Sequence, residues 1–295
     1  MRRGGEITQV FVNMSTFAIR VDLNADVGES FGAYSLGQDP ALMRVITSAN
    51  VACGFHAGDP AIMRATVALA KQCGVAVGAH PGFPDLQGFG RRELPLSARE
   101  VEDIALYQIG ALAAVAAAEG IRLQHVKAHG ALYNRAARDR DCADALARAT
   151  VAVDRELIFF APPNSELSAA GERAGLRTVR EAFADRAYQP NGALVPRGDV
   201  GAVLHHPDVV VGRAVRMVIE RTVEAIDGTK IPINADTICL HGDTPDAALL
   251  AARIRRALEH EGIMVLPVGE TVTAITGETP TDRDDRPRFG VRTRS

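Results

Sequence analysis

Residues 71 to 85, KQCGVAVGAHPGFPD, leave a polar, helix-like segment at Gly74, enter the short apolar run VAVGA, reach His80 and break at Pro81. Glycine takes the left-handed conformation that ends a helix, so this order predicts a helix, a stop, a strand, and a titratable ring at the strand's end. The order recurs. AEGIRLQHVKAH turns on Gly120 and runs to His129, RAGLRTVREAF turns on Gly175, and HEGIMVLPV turns on Gly262. NVACGFH ends on His56 and DTICLH on His241. Helix starts are marked by Asp59-Pro60, by Thr244-Pro245 and by the capping box from Ser97 to Glu100.

Strands joined by helical crossovers run parallel, and short strands that are apolar at consecutive positions read as covered on both faces. Seven such units fall near residues 19–24, 49–54, 75–79, 124–128, 157–161, 177–183 and 237–240. That number predicts an α/β fold of the closed β/α barrel type, in one domain over residues 19–275. Residues 1–18 are expected to be an arm outside the fold, disordered or upstream of a start at Met14. Residues 276–295 are charged and poor in large apolar residues, as expected of a disordered tail.

A chain of 295 residues, 47% apolar and 23% charged, can bury a large core. The net charge of -3 offers nothing to attract nucleic acid or an anionic membrane. No apolar run is expected to reach the ~20 residues of a membrane span, and the N-terminus lacks the apolar stretch of roughly 7 to 15 residues of a secretory leader. Four dispersed cysteines without a CxxC pair predict neither a disulfide framework nor a zinc knuckle, and fit a cytoplasmic protein.

Ligands of parallel barrels sit at the carboxyl ends of the strands, and here those ends are rich in ionisable groups. VDLNADVGES supplies Asp22, Asn24, Asp26 and Glu29; GFHAGD supplies His56 and Asp59; GAHPGFPD supplies His80 and Asp85. VKAHGALYN supplies Lys127, His129 and Asn134, EAFADRAY supplies Glu181, Asp185 and Arg186, and LHGD supplies His241 and Asp243. Taken singly, Asp59 reads as a helix cap and Asp22 as a loop tie. Taken together, four histidines and a lysine at equivalent points of a repeated unit predict one pocket. Lys127 and His129 are two apart and should share a strand face, with Glu181 or Asp26 as partners of the lysine. His125 and the pair His205-His206 fall off the pattern and are expected at the surface or in loops.

These phrases, with NGALVPR, GAVL and CLHGD, resemble the LamB/YcsF family from residue 21 to about residue 275. The resemblance implies a distorted seven-stranded barrel related in shape to glycoside hydrolase and deacetylase barrels. It implies the role of the A subunit of an ATP-dependent 5-oxoprolinase, opening 5-oxo-L-proline to L-glutamate with partner subunits B and C. On that basis Asp26, His56, His80, Lys127 and His129 are the catalytic candidates. Asp22, Asn24, Glu29, Asp59, Glu181, Asp185, Arg186, His241 and Asp243 are the candidates for substrate binding. The chain has no GxxxxGK[ST] phosphate loop, so ATP is expected to be handled elsewhere in the complex. Two other readings stay open: an ATP-independent amidohydrolase with a divalent metal on Asp26, His56 and His80, and a non-catalytic binding subunit.

Overall fold

The computed structural model describes residues 19–240 and 246–269. The expected arm and tail, together with His241, Asp243 and Thr244-Pro245, lie outside the described residues. The strands are β1 (Arg20–Val27), β2 (Ser48–Ala52), β3 (Ala76–His80), β4 (His125–Val126), β5 (Ile158–Ala161), β6 (Thr178–Phe183), β7 (Thr222–Glu224), β8 (Lys230–Pro232), β9 (Thr237–Leu240) and β10 (Met264–Val265). β1 to β6 and then β9 pair side by side in parallel, and β9 returns to β1 with Asp22 opposite Thr237 and Ala25 opposite Leu240. Seven strands thus close a barrel at the seven expected places, of which β3, β4 and β6 follow a helix-ending glycine. β10 pairs with the start of β1 from outside, while β7 and β8 form a separate antiparallel hairpin.

The predicted punctuation is present. Gly74, Gly120, Gly175 and Gly262 follow helices with φ of 68, 73, 74 and 74°. Asp59 caps helix Pro60–Cys73 through the amides of Ala61 and Ile62, and Ser97 and Glu100 cap each other at the start of helix Ala98–Ala118. One expectation is corrected here. Helix Ala98–Ala118, 21 residues at mean hydropathy 1.4, is long and apolar enough to cross a membrane. In the fold it belongs to the helical layer: Val101, Ala105, Ile109, Leu112 and Ala116 are buried, and it packs on helix Arg140–Val153 and on β3.

The strands are also less uniformly apolar than their reading suggested. In β1, Val21, Leu23, Ala25 and Val27 join the apolar core, while the alternate residues Asp22, Asn24 and Asp26 are equally buried but bond across the barrel interior. Period-two alternation puts them all on one face. Asp22 accepts from Thr47 (2.6 Å), Ser48 (2.7 Å) and Thr237, and so ties the starts of β1, β2 and β9 across the closure seam. Asn24, one step up, donates to Thr237 (2.7 Å) and Glu181 (3.1 Å) and accepts from Asn50 (2.7 Å).

His125 corrects a second expectation: it is fully buried on β4, not at the surface. Its ring stacks on Phe160 (centroids 4.3 Å apart, planes 8° apart), and its Nε2 donates to Asn50 Oδ1 at 2.9 Å. Burial pushes its imidazole down to about 3, so it stays neutral. The ring fits because β3 has a glycine opposite; a Cβ on Gly78 would come within 2.1 Å of it. Ile158, Phe160 and Val179 continue this apolar side of the interior. His205 and His206 are exposed, as expected.

Two outcomes follow from this packing. Gly78→Ala should cost about 1–3 kcal/mol in urea unfolding, as overpacked cores do, and adding His125→Ala should recover part of that loss. Burial raises Asp22 from 3.8 to about 6, so its folded pKa lies above its unfolded one. The ionised form then costs the fold about 3 kcal/mol, and stability should fall as pH rises from about 4 to about 6. In Asp22→Asn that decline should shrink, measured as the difference in urea midpoint between the two proteins across this range.

Candidate active site

At the carboxyl ends of the strands the interior becomes a cluster of charges and imidazoles. Asp26 comes from β1 and Glu29 from the turn after it; His56 follows β2; His80 ends β3; Lys127 and His129 follow β4; Glu181 lies on β6. All are buried. Backbones must approach closely for these loops to meet. Gly58, at φ 76°, lies where a Cβ would be 2.9 Å from the Gly28 carbonyl oxygen, and its amide donates to Ser30. Only glycine combines that conformation with that clearance.

Lys127 organises the lower half of the cluster. Its ammonium lies 2.5 Å from Asp26 Oδ1, 3.8 Å from Glu181 Oε1 and 3.2 Å from Cys239 Sγ. Burial opposes its charge, but Asp26 foremost, with Cys239 and Glu181, holds its pKa well above the usual lysine value. Asp26 also accepts from Asn50 at 2.9 Å. Burial raises Glu181, which Lys127 pulls back down.

The histidines form the upper half. His129 stacks face to face on His56, with centroids 3.8 Å and planes 4° apart, and both stand edge-on to His80. His80 Nδ1 meets the Lys127 carbonyl at 2.7 Å, and its Nε2 lies 2.9 Å from His129 Nδ1 and 3.3 Å from Asp26 Oδ2. Glu29 Oε1 is 3.6 Å from His56 Nε2 and 3.7 Å from His129 Nδ1. Burial, reinforced by the neighbouring rings, lowers His56 and His129 well below the ordinary histidine range. The segment after β3 roofs the group: Phe89 stands edge-on to His56 and His129, and its carbonyl accepts from His129 Nε2 at 2.8 Å. Asp85, paired with Arg92 and accepting from Gly88, pins that segment.

A cavity of about 550 Å³ opens onto this cluster, with Asp26, Lys127, His129, Tyr133, Arg91 and Arg186 in its wall. A second, of about 680 Å³, adjoins it across Tyr133, Asn134, Phe183, Leu194 and Pro196 and reaches Glu181. His56, His80 and Glu29 lie behind the wall, sealed from the opening.

The expected residues therefore divide. Asp26, Glu29, His56, His80, Lys127, His129 and Glu181 are brought together. Asp22 and Asn24 lie below, at the floor of the barrel. Asp59 is the cap it resembled, its other oxygen accepting from Gly32 at 2.8 Å. Asp185 is buried beside the rim, and Arg186 lines the cavity while donating to the carbonyls of Val195 (2.6 Å) and Ala202 (3.2 Å). Of the metal set Asp26, His56 and His80, Asp26 Oδ2 lies 3.3 Å from His80 Nε2 but is also engaged by Lys127, while Glu29 and His129 group with His56 and His80, their ligand atoms within 4.8 Å of one another.

Sequence reasoning passed over Arg91, Tyr133 and Arg197. Tyr133 stands four residues after His129, one helical turn on, so its spacing carried a signal. Arg91, stacked on Phe89 at 5.0 Å, and Arg197 come from loops whose position no periodicity announces.

The profile of the LamB/YcsF family matches residues 21–273. The A subunit of 5-oxoprolinase from Thermococcus onnurineus is 54% identical over 254 residues, 86% of this chain and 100% of the relative. Its Bacillus subtilis namesake is 51% identical over 251 residues, 85% of this chain and 98% of the relative. The crystal structure of the lactam utilization protein from Thermus thermophilus superposes with a TM-score of 0.80 at 50% identity, covering 84% of this chain and 99% of that one.

Lys127→Met should destabilise the protein by about 3–5 kcal/mol in urea unfolding, because it strands Asp26 and Glu181 as buried charges without a counterion. Adding Asp26→Asn should restore part of the loss, and a double-mutant cycle gives the coupling.

Proposed function

The chain belongs to the LamB/YcsF family, and from that membership and the rim cavity we propose that it is the A subunit of an ATP-dependent 5-oxoprolinase, opening 5-oxo-L-proline to L-glutamate. The observation that carries the reading is the match along the full length of relatives bearing that name, with the ionisable strand ends meeting at one cavity. A five-membered lactam resists water because its amide is resonance-stabilised. In this reading the partner subunits B and C spend ATP to phosphorylate the carbonyl oxygen, which leaves an imine-like ring carbon open to water. At this chain water adds to that carbon, a proton goes to the ring nitrogen and the C–N bond breaks to give an acyl phosphate, from which a second water releases phosphate as glutamate forms.

The residues suit that division of labour. Asp26 faces the cavity and takes the proton of the attacking water, its carboxylate oriented by Lys127 and Asn50. Lys127 is neutralised by carboxylates, so the anionic groups of the substrate fall to Arg186, Arg91 and Arg197 in the cavity wall. His129 lines the same wall and stays neutral. Four free cysteines fit a reducing cytoplasm.

The Glu29, His56, His80 and His129 group favours one other reading, an amidohydrolase that needs no ATP. Assay of glutamate formed from 5-oxoproline separates the readings. Activity requiring this chain, both partners and ATP is the expected result. Activity of this chain alone favours the ATP-free hydrolase, and full activity of the partners alone gives this chain a binding role only. Within the assembled system, Asp26→Asn should lower kcat by about 10²- to 10⁴-fold, with circular dichroism confirming the fold, and Arg186→Lys should act mainly on KM.

A further inference from the structure

The hydrogen bonds around the imidazole cluster fix where its protons lie. A carbonyl oxygen only accepts, so His80 Nδ1, 2.7 Å from the Lys127 carbonyl, donates, and His129 Nε2, 2.8 Å from the Phe89 carbonyl, donates too. In neutral rings the inner nitrogens, His80 Nε2 and His129 Nδ1, then both carry lone pairs, and they face each other at 2.9 Å. The neighbouring atoms are acceptors as well: Asp26 Oδ2 lies 3.3 Å from His80 Nε2, and Glu29 Oε1 lies 3.7 Å from His129 Nδ1. His56 is fully buried with neither ring nitrogen hydrogen-bonded, its Nε2 3.6 Å from Glu29 Oε1. Acceptors that converge repel one another unless a cation or a donor stands among them.

We propose that Glu29, His56, His80 and His129 form a binding site for one divalent cation of the zinc class. Imidazole nitrogen with a single carboxylate suits Zn²⁺, Co²⁺ or Ni²⁺ rather than Mg²⁺ or Ca²⁺, which take oxygen ligands. Atoms about 2.0–2.1 Å from one ion lie no more than about 4.2 Å apart; three of the separations here are 2.9, 3.6 and 3.7 Å, the whole set lies within 4.8 Å, and the parallel rings of His56 and His129, 3.8 Å apart, must open from their stack to aim both nitrogens at one ion. The carbonyls of Lys127 and Phe89, on the outer nitrogens of His80 and His129, are the acceptors that orient histidine toward a metal and fix its tautomer. Lys127 lies close but is held by Asp26 and Glu181, which leaves Glu29 as the carboxylate of the site. Of the four residues, His129 borders the cavity. The inference rests on the geometry of this chain and holds whichever substrate the cavity takes.

The competing cation is a proton, with His80 an imidazolium donating to His129. Protein carrying no polyhistidine tag, stripped with chelator and titrated with Zn²⁺ or Co²⁺ in the absence of substrate, decides between them. Expected are about one equivalent by elemental analysis, a higher Tm, and the visible bands of Co²⁺ bound by nitrogen and oxygen. His56→Ala and Glu29→Gln should each weaken binding at least about 100-fold, while His260→Ala, at an exposed position, should leave it unchanged. The proposal fails if stripped protein that remains folded by circular dichroism takes up no ion and shows no Tm change, or if both variants bind as the parent does. A doubly protonated His80 by nitrogen NMR, unaltered by added metal, also overturns it. Metal uptake is read without substrate, so its failure leaves the lactam reaction standing, and loss of glutamate formation with the ion in place would strike only that reaction.

Discussion

An ammonium group enclosed in the barrel is what makes the rest of this interior possible. Carboxylates buried without a counterion cost several kcal/mol each, yet Asp26 and Glu181 stand on different strands inside a space closed on all sides by seven. Lys127 reaches both, and its charge survives burial because they are there. The pair fixes Asp26 in place, and Asp26 in turn borders both the cavity and His80.

Below that level the interior is a ladder of polar contacts that climbs β1 two residues at a time. Asp22 ties the seam, Asn24 spans from β2 to β6 and β9, and Asp26 meets Lys127. A filled apolar interior is the usual content of such a barrel. Here Ile158, Phe160 and Val179 form an apolar side, with His125 laid on Phe160. Where such a network is satisfied, as at Asp22, Asn24 and Asp26, it holds side chains to one arrangement. The rim inherits that rigidity at His80 and His129, which are positioned by backbone carbonyls and by each other.

Much of this was legible in the chain itself. Strands β3, β4, β6 and β10 were announced by a helix-ending glycine and the others by a short apolar run alone, because a left-handed residue ends a helix wherever it stands and strands covered by helices are apolar. Convergence of the strand-end histidines was legible too, since parallel strands present their carboxyl ends to one side. His125 misled because one residue separates it from Lys127, and whether such a ring is covered depends on Gly78 and Phe160, which lie 47 and 35 positions away in sequence by simple subtraction. Helix Ala98–Ala118 misled in the opposite sense: its composition is compatible with lipid, and its place against β3 is visible only in the fold.

The sequence by itself determined the barrel, its punctuation and which residue types stand at the strand ends, because these follow from local conformation and from period-two and helical spacing. Tertiary structure alone decided which of those residues touch. It paired Lys127 with Asp26 across 101 positions, turned Asp59 outward as a cap, sent Asp22 to the floor and brought Glu29 as well as Asp26 to the histidines. The reason is physical. Contacts between strand ends depend on barrel closure and register, and on the cost of leaving buried charge uncompensated, and neither quantity is a property of any short stretch of chain.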